Sequence, residues 1–426
     1  MMPNFVRLLL VLLGAVVAAA QQPDQPLTLA DCWKLAEAEF SLAERARLDE
    51  RSAGELVRQA HAGFLPQAAY VNSFTYNTPL LRDRSTFSYV ALNGIREYFS
   101  QPTLTEEIDL SGRLRATLAR GHAENGIAKA RASITRRDLR LAVREAYYAT
   151  LEARHNVEAA QRNVGEAEAF ARRTRLMAEQ GEAARADVLK AEVQLAARRR
   201  DLYAVQTAAL NAGLQLKSYW TEDLAQPPLI ADTFLQIPTE QDYLGWEAGW
   251  ITRRSEFSLL ASAEQAARAE AHLARSERRP TFNIVYAYGL DSTQVRIRDR
   301  GQAVFAGLRI PLFDWNRSRS RERQANLARR QVEIDRQIAR RAFTGLFYSE
   351  RNNVELAVKQ TAEGKRETEL ARESLRLSRL RYDAGETGAL EVVESQNTAA
   401  AAEVAYNRAI FNYHMSRARL EVAIGQ

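Results

Sequence analysis

The feature that most constrains this chain is the length of its uninterrupted helical stretches. In residues 113–181 and 317–385 a glycine follows an arginine 68 positions later with no proline between. At a rise of 1.5 Å per residue, each stretch would form a helix about 100 Å long. No single compact domain contains such a rod. The composition agrees, being 46% hydrophobic but only 8% aromatic, which with helical periodicity favours long helices over an ordinary enzyme core.

The two stretches belong to a unit written twice. Arg175 to Glu182 (RLMAEQGE) is echoed 204 residues later by Arg379 to Glu386 (RLRYDAGE). At the same offset Asp187-Val188-Leu189 meets Glu391-Val392-Val393, and Gly112 meets Asn316. Gly and Asn both tolerate a left-handed turn. Upstream, Pro66 and Pro280 each precede a segment that loses the helical period.

Each unit reads as helix, strand, strand, long helix, helix, so the fold class is mainly α with membrane β. A helix is expected over 29–65, opened by Thr28 or Asp31 and closed by Pro66. Strands follow at 67–77 and near 99–110, where Pro102, Glu106 and Glu107 interrupt the pattern. In the second unit 281–288 alternates strictly, and 304–312 reads as its return strand. After each glycine a shorter helix returns, roughly 187–219 and 391–425. The two short helices of a unit together match one long helix in length. Val188, Leu195, Leu202 and Ala209 recur every seven residues, as do Val392, Ala399, Tyr406 and Tyr413, a spacing for antiparallel coiled-coil packing. The resulting organisation is a leader at 1–20, a first repeat at 21–217, a proline-bearing crossover at 218–238 and a second repeat at 239–426.

Several functions are excluded. One Cys and five scattered His offer neither a disulfide framework nor a metal site, and no cofactor motif is present. The surplus of 59 Lys+Arg over 53 Asp+Glu is small and dispersed, which does not point to nucleic acid. There is no P-loop and no grouped catalytic set, so an enzyme is not expected. Arg7 followed by the apolar run 8–20 and Gln21 reads as a secretory signal too short to span a bilayer. Four strands of about ten residues match the wall of an outer-membrane barrel. Strands in hydrocarbon must close into a ring, and the smallest bacterial barrels have eight, so several copies are required. The alternative is a pair of small hairpins capping a soluble periplasmic scaffold or adaptor.

Five segments in order resemble the TolC-like outer-membrane efflux family across essentially the whole mature chain. They are LTLADCWKLAEAEF at 27–40, GFLPQ at 63–67, IDLSGRLRA at 108–116, IPLFDWNRSRSR at 310–321 and RYDAGETGALEVVESQ at 381–396. The resemblance implies a homotrimer in outer-membrane lipid: a 12-stranded barrel continued by a helical tunnel through the periplasm. It also implies a periplasmic adaptor and an inner-membrane pump (RND or ABC type), with the chain as passive exit duct for a metal ion, a drug or a type I secreted protein. The segment at 310–321 is similar to one common in the metal-efflux branch. By the same resemblance Gly181 and Gly385 mark the tip where the adaptor docks. Glu391 and Glu394, one helical turn apart, would line a constriction as two acidic rings. Tyr382 and Asp187 would help latch it, while Thr387 stands where the family carries Arg.

Overall fold

The computed structural model describes residues 26–77, 96–235 and 245–425. The expected leader, the loop joining the first two strands and part of the crossover lie outside these residues. The first repeat contains α1 (Leu29–Ala36), α2 (Leu42–Ala62), β1 (Gln67–Tyr76), β2 (Arg96–Ile108), α3 (Arg113–Glu179) and α4 (Arg185–Lys217). The second contains α5 (Ser255–Ser276), β3 (Thr281–Ser292), β4 (Gly301–Arg309), α6 (Arg317–Asp383) and α7 (Ala389–Ala423). Both long helices have 67 residues, and both start on a left-handed residue, Gly112 (φ 79°) and Asn316 (φ 63°).

Three sequence expectations need correction. The helix expected over 29–65 is two helices. Thr28 caps α1 in a capping box with Asp31, and Ser41 restarts the chain by accepting the Glu44 N–H. Between them Phe40 takes a left-handed conformation (φ 63°) with its ring fully exposed. The second strand runs straight through Pro102. Its pairing with β1 is continuous, but the ladder to β3 skips residues 101 and 102. Proline is tolerated where a ladder breaks, and opposite it Gly289 (φ 146°) lets the strands approach where a Cβ would meet the Ser100 carbonyl. The return strand β4 starts three residues earlier than expected, at Gly301, and ends before Pro311.

The four strands form one antiparallel sheet in the order β1-β2-β3-β4, so both outer edges are open. Its registers put Tyr70, Phe74, Tyr98, Leu104, Ile284 and Tyr286 on one face. The opposite face mixes Ser73, Gln101, Thr103, Thr105 and Asn283 with Val71, Phe99, Val285 and Phe305. The first face is the richer in aromatic side chains, though Asn72, Ser100 and Glu106 share it.

The helices lie side by side as a wall, except near the tip, where α4 also meets α7 and α3 meets α6. Helix α3 packs on α2 and α4 along one side and on α5 and α7 along the other, and α6 packs on α5 and α7. The core is accordingly strung along the rods in three clusters. One joins Cys32, Val143, Tyr147, Leu216, Phe234 and Ile410 beside the crossover. A second joins Phe347, Val354, Tyr413 and Leu420, and the third fills the far end around Tyr382. In α7 the seven-residue series is buried at Val392, Ala399 and Tyr413 and half-buried at Tyr406. The matching α4 series is only half-buried.

Polar clamps tie the layer together midway. Glu37 accepts from Arg136 and Arg140. Tyr147 donates to the Ala231 carbonyl at 2.6 Å, and buried His414 bonds the Phe234 carbonyl at 2.9 Å. Burial would raise the Glu256 carboxyl, yet hydrogen bonds from Arg137 on α3 and Arg254 hold it down to about 2. A carboxyl lowered in the folded state stabilises above its ordinary value of 4.5 and loses that contribution as pH falls towards 2. Glu256→Gln should therefore cost about 1.5 kcal/mol at neutral pH, after allowance for partial exposure. Thermal unfolding in detergent of both proteins across pH 2–7 checks this: their difference should shrink below pH 4.5.

Candidate functional site: the helical tip

The far ends of α3–α4 and α6–α7 are two tight reversals built the same way. At the first, the Gly181 N–H donates to the Ala178 carbonyl and the Glu182 N–H to the Met177 carbonyl. At the second, Gly385 donates to Tyr382 and Glu386 to Arg381. This is the Schellman arrangement, which requires a left-handed residue after the helix. Gly181 (φ 79°) and Gly385 (φ 74°) provide it, and neither has an atom within 4 Å of where a Cβ would stand. Conformation, not crowding, selects glycine here.

The two reversals differ chemically. In the second, Arg381 reaches across the turn to Glu391 at 2.6 Å and lies 3.7 Å from Glu386. Thr387 adds a hydroxyl hydrogen bond to the other Glu391 oxygen. At the repeat offset the first reversal has Met177 in place of Arg381 and Ala183 in place of Thr387, and Met177 is buried. Glu391 is thus a compensated charge. Glu394 is exposed and has no ion-pair partner among the described residues. Asp187 lies 3.5 Å from Lys190 one turn along α4.

Tyr382 is 4% exposed and sits between the repeats. Its ring meets Phe170 of α3 edge-on, centroids 5.1 Å apart. Ion pairs flank this contact, Arg173 to Asp383 at 3.2 Å and Arg379 to Glu166 at 3.0 Å. Behind it the α4–α7 seam is joined by Asn397, which accepts from Arg198 at 2.6 Å. Burial pushes the Tyr382 phenol up, and the nearby Asp187 and Asp383 carboxylates add to the rise. Thr174 is the polar neighbour of that phenol, but neither hydroxyl oxygen has a hydrogen-bond partner.

The tip therefore brings Tyr382 and Asp187 together, keeps Glu391 and Glu394 on one helix turn, and places both glycines at the apex. Sequence reasoning missed Arg381, Phe170 and Arg173. Arg381 was findable, because residues equidistant from a helical reversal face each other. Phe170 and Arg173 were not, since nothing local indicates which faces of α3 and α6 meet. Among the described residues no group of His, Cys, Asp and Glu is arranged to hold a metal ion.

Residues 36–222 and 251–426 match the family model described as outer membrane efflux protein. Comparison with curated proteins finds no match. Among solved structures, the fold is similar to the Campylobacter jejuni CmeC outer membrane channel at a TM-score of 0.82 and 15% identity, covering 93% of this chain and 85% of that one. It is similar to CusC, in a structure describing transmembrane channel formation, at 0.84 and 15%, covering 93% and 92%. It is also similar to the open state of the Neisseria gonorrhoeae MtrE outer membrane channel, at 0.78 and 17%, covering 93% and 88%.

Because the Tyr382 hydroxyl is unbonded, Tyr382→Phe should change stability by less than about 0.5 kcal/mol. Tyr382→Ala should cost about 3 kcal/mol through the lost ring. Denaturation of both variants in detergent separates a packed seam from a hydroxyl latch; equal losses would contradict the packing account.

Proposed function

Starting from the premise that this chain belongs to the outer membrane efflux protein family, we propose that it is the passive exit duct of a tripartite efflux system, closed as a homotrimer. Residence in the outer membrane with extension into the periplasm comes with that family. Trimer, adaptor, pump and gate are our reading.

One observation carries the reading: every edge of the protomer is unfinished. The sheet is open at β1 and at β4. The wall of helices has a free side at each end, and both free sides carry apolar residues in a seven-residue series. On α4 these are Leu189, Tyr203 and Leu210, all exposed, with Ala196 completing the spacing. On α6 they are Leu327, Ile334 and Tyr348, interrupted by Arg341, then after a one-residue shift Leu356, Leu370 and Leu377, interrupted by Glu363. A seam of this period calls for another helix. The α6 of one copy against the α2–α4 edge of the next supplies it, and β4 against β1 closes the sheet at the same time. Such a head-to-tail contact generates a ring. Three copies give twelve strands, above the smallest bacterial barrel. A soluble scaffold would leave four strands with an apolar face and two open edges in water.

In that ring the tips gather near the axis. Glu394 supplies the uncompensated carboxylate, and three copies make one full acidic ring that favours cations. Glu391, tied to Arg381 and Thr387, contributes a weaker second ring. Tyr382 with Phe170, flanked by the two ion pairs and with Asp187 close by, holds the two repeats together beside the constriction. Gly181 and Gly385 shape the ends offered to an adaptor, and an inner-membrane pump supplies the energy. The exported substrate is not encoded in a binding site, because a tunnel passes cargo without holding it.

Two experiments test this. Tyr203→Glu and Leu370→Glu should each place a charge in an apolar seam and shift the detergent-extracted chain from trimer to monomer on sizing columns with light scattering. In planar bilayers Glu394→Ala should lower the cation-to-anion permeability ratio about fivefold, and Glu391→Ala less. Arg381→Ala, which releases Glu391, should raise the ratio. A monomer that opens no conductance would sink the duct.

A further inference from the structure

The two junctions between strand and long helix are built differently, although the repeat makes them equivalent. At the first, both arginines are engaged: Arg113 with Glu107, and Arg115 with Asp109 at 2.9 Å. No aromatic residue follows β2 before α3 begins. At the second, Phe313 and Trp315 stand 71% and 85% exposed, their rings edge to face at 4.6 Å. Trp315 is held in a left-handed conformation (φ 52°), directly before the left-handed Asn316. A bulky residue there is a backbone outlier, and such strain persists at sites of function. The residue matching Trp315 in the first repeat is Ser111, and it carries no positive φ.

Charge differs as well. Residues 275–279 and 314–322 carry six arginines against the three carboxylates Glu277, Asp314 and Glu322. Arg275 and Arg278 share Glu322, and Arg321 takes Glu277 at 2.5 Å. The Asp314 carboxylate is occupied by the Ser318 N–H and hydroxyl. Arg317 and Arg319 have no ion-pair partner among the described residues. Arg278, Arg319 and Phe313 line one cavity of about 220 Å³ together with Asp314, whose carboxylate is turned to Ser318, while Arg317 lies outside its lining. It lies where the strands end and the helices begin, at the periplasmic boundary of the membrane.

We propose that this junction is a phospholipid headgroup site. Phe313 and Trp315 enter the interfacial edge of the bilayer, where aromatic rings are favoured. Arg319, with Arg317 and the half-compensated Arg278, holds the phosphate of an anionic lipid. The inference rests on the strands spanning the outer membrane as a closed ring. In that ring the neighbour's turn, residues 61–67, meets the same junction, and it contains no carboxylate. That turn offers the guanidiniums backbone carbonyls but no counter-charge, whereas a lipid phosphate supplies one.

The test uses the full chain in vesicles of phosphatidylcholine with and without phosphatidylglycerol. The other tryptophans, at 33, 220, 246 and 250, pack in the helical clusters away from the strands. Brominated acyl chains should therefore quench a tryptophan component that Trp315→Phe removes. Arg317→Gln and Arg319→Gln should each reduce retained phosphatidylglycerol about fivefold, read by native mass spectrometry of the released protein. Quenching unchanged by Trp315→Phe, or lipid retention unchanged in both arginine variants, overturns the proposal. So does unquenched Trp315 with Trp315→Ala dissociating the oligomer, which assigns the ring to a neighbouring copy. Bilayer conductance measured on the same variants keeps the outcomes apart: a conducting variant with no lipid preference refutes the headgroup site and leaves the duct standing.

Discussion

A helix of 67 residues has more side than its own chain can cover. Everything else in this protein follows from that. Stability of a helix in water comes chiefly from packing its apolar face against something, and a rod about 100 Å long needs partners along its whole length. Here the partners are pairs of shorter helices laid beside each rod, so the protein becomes a sheet of helices with three small cores in place of one large core. A wall has ends, and its ends carry exposed apolar residues at mostly seven-residue spacing, broken on α6 by Arg341 and Glu363. The open sheet edges pose the same problem in strand form, because backbone groups in hydrocarbon must be paired.

The duplication solves the geometry once and then diverges in chemistry. The two reversals share their backbone, down to the hydrogen bonds that terminate α3 and α6. One nevertheless buries Met177 where the other extends Arg381 to Glu391. The two junctions share a left-handed residue before the long helix, yet only the second adds exposed aromatics and surplus arginines. In each case the backbone requirement is kept in both copies, and the side chains free of it separate the roles. Buried polar contacts such as Glu256 with Arg137 and Arg254 link α3 to the start of α5. There the crossover must be fastened across helices that would otherwise slide.

Much of this architecture is legible residue by residue. Proline-free stretches ending in glycine give the rods and their reversals, since a helix continues until the backbone is told to stop. The 204-residue offset pairs Gly112 with Asn316, and both adopt the left-handed turn expected of them. Where reading failed, a local signal was outweighed by a contact distant in sequence. Proline at 102 argued against a strand, but the strand persists because β1 completes its ladder on one side. The break at 37–41 carried its own signal in Ser41 followed by Glu44, which the continuous apolar pattern concealed.

What the sequence alone determined is one-dimensional: element order, length, repeat and the residues at each turn, because these depend on backbone preference and periodicity. Which faces meet was decided only in three dimensions. Tyr382 is a residue in a motif until α3 places Phe170 against it. Glu391 and Glu394 look like twins until Arg381 comes round the reversal and neutralises one of them. Side-chain charge and burial are set by neighbours from other helices, and the chain carries no local record of who those neighbours are.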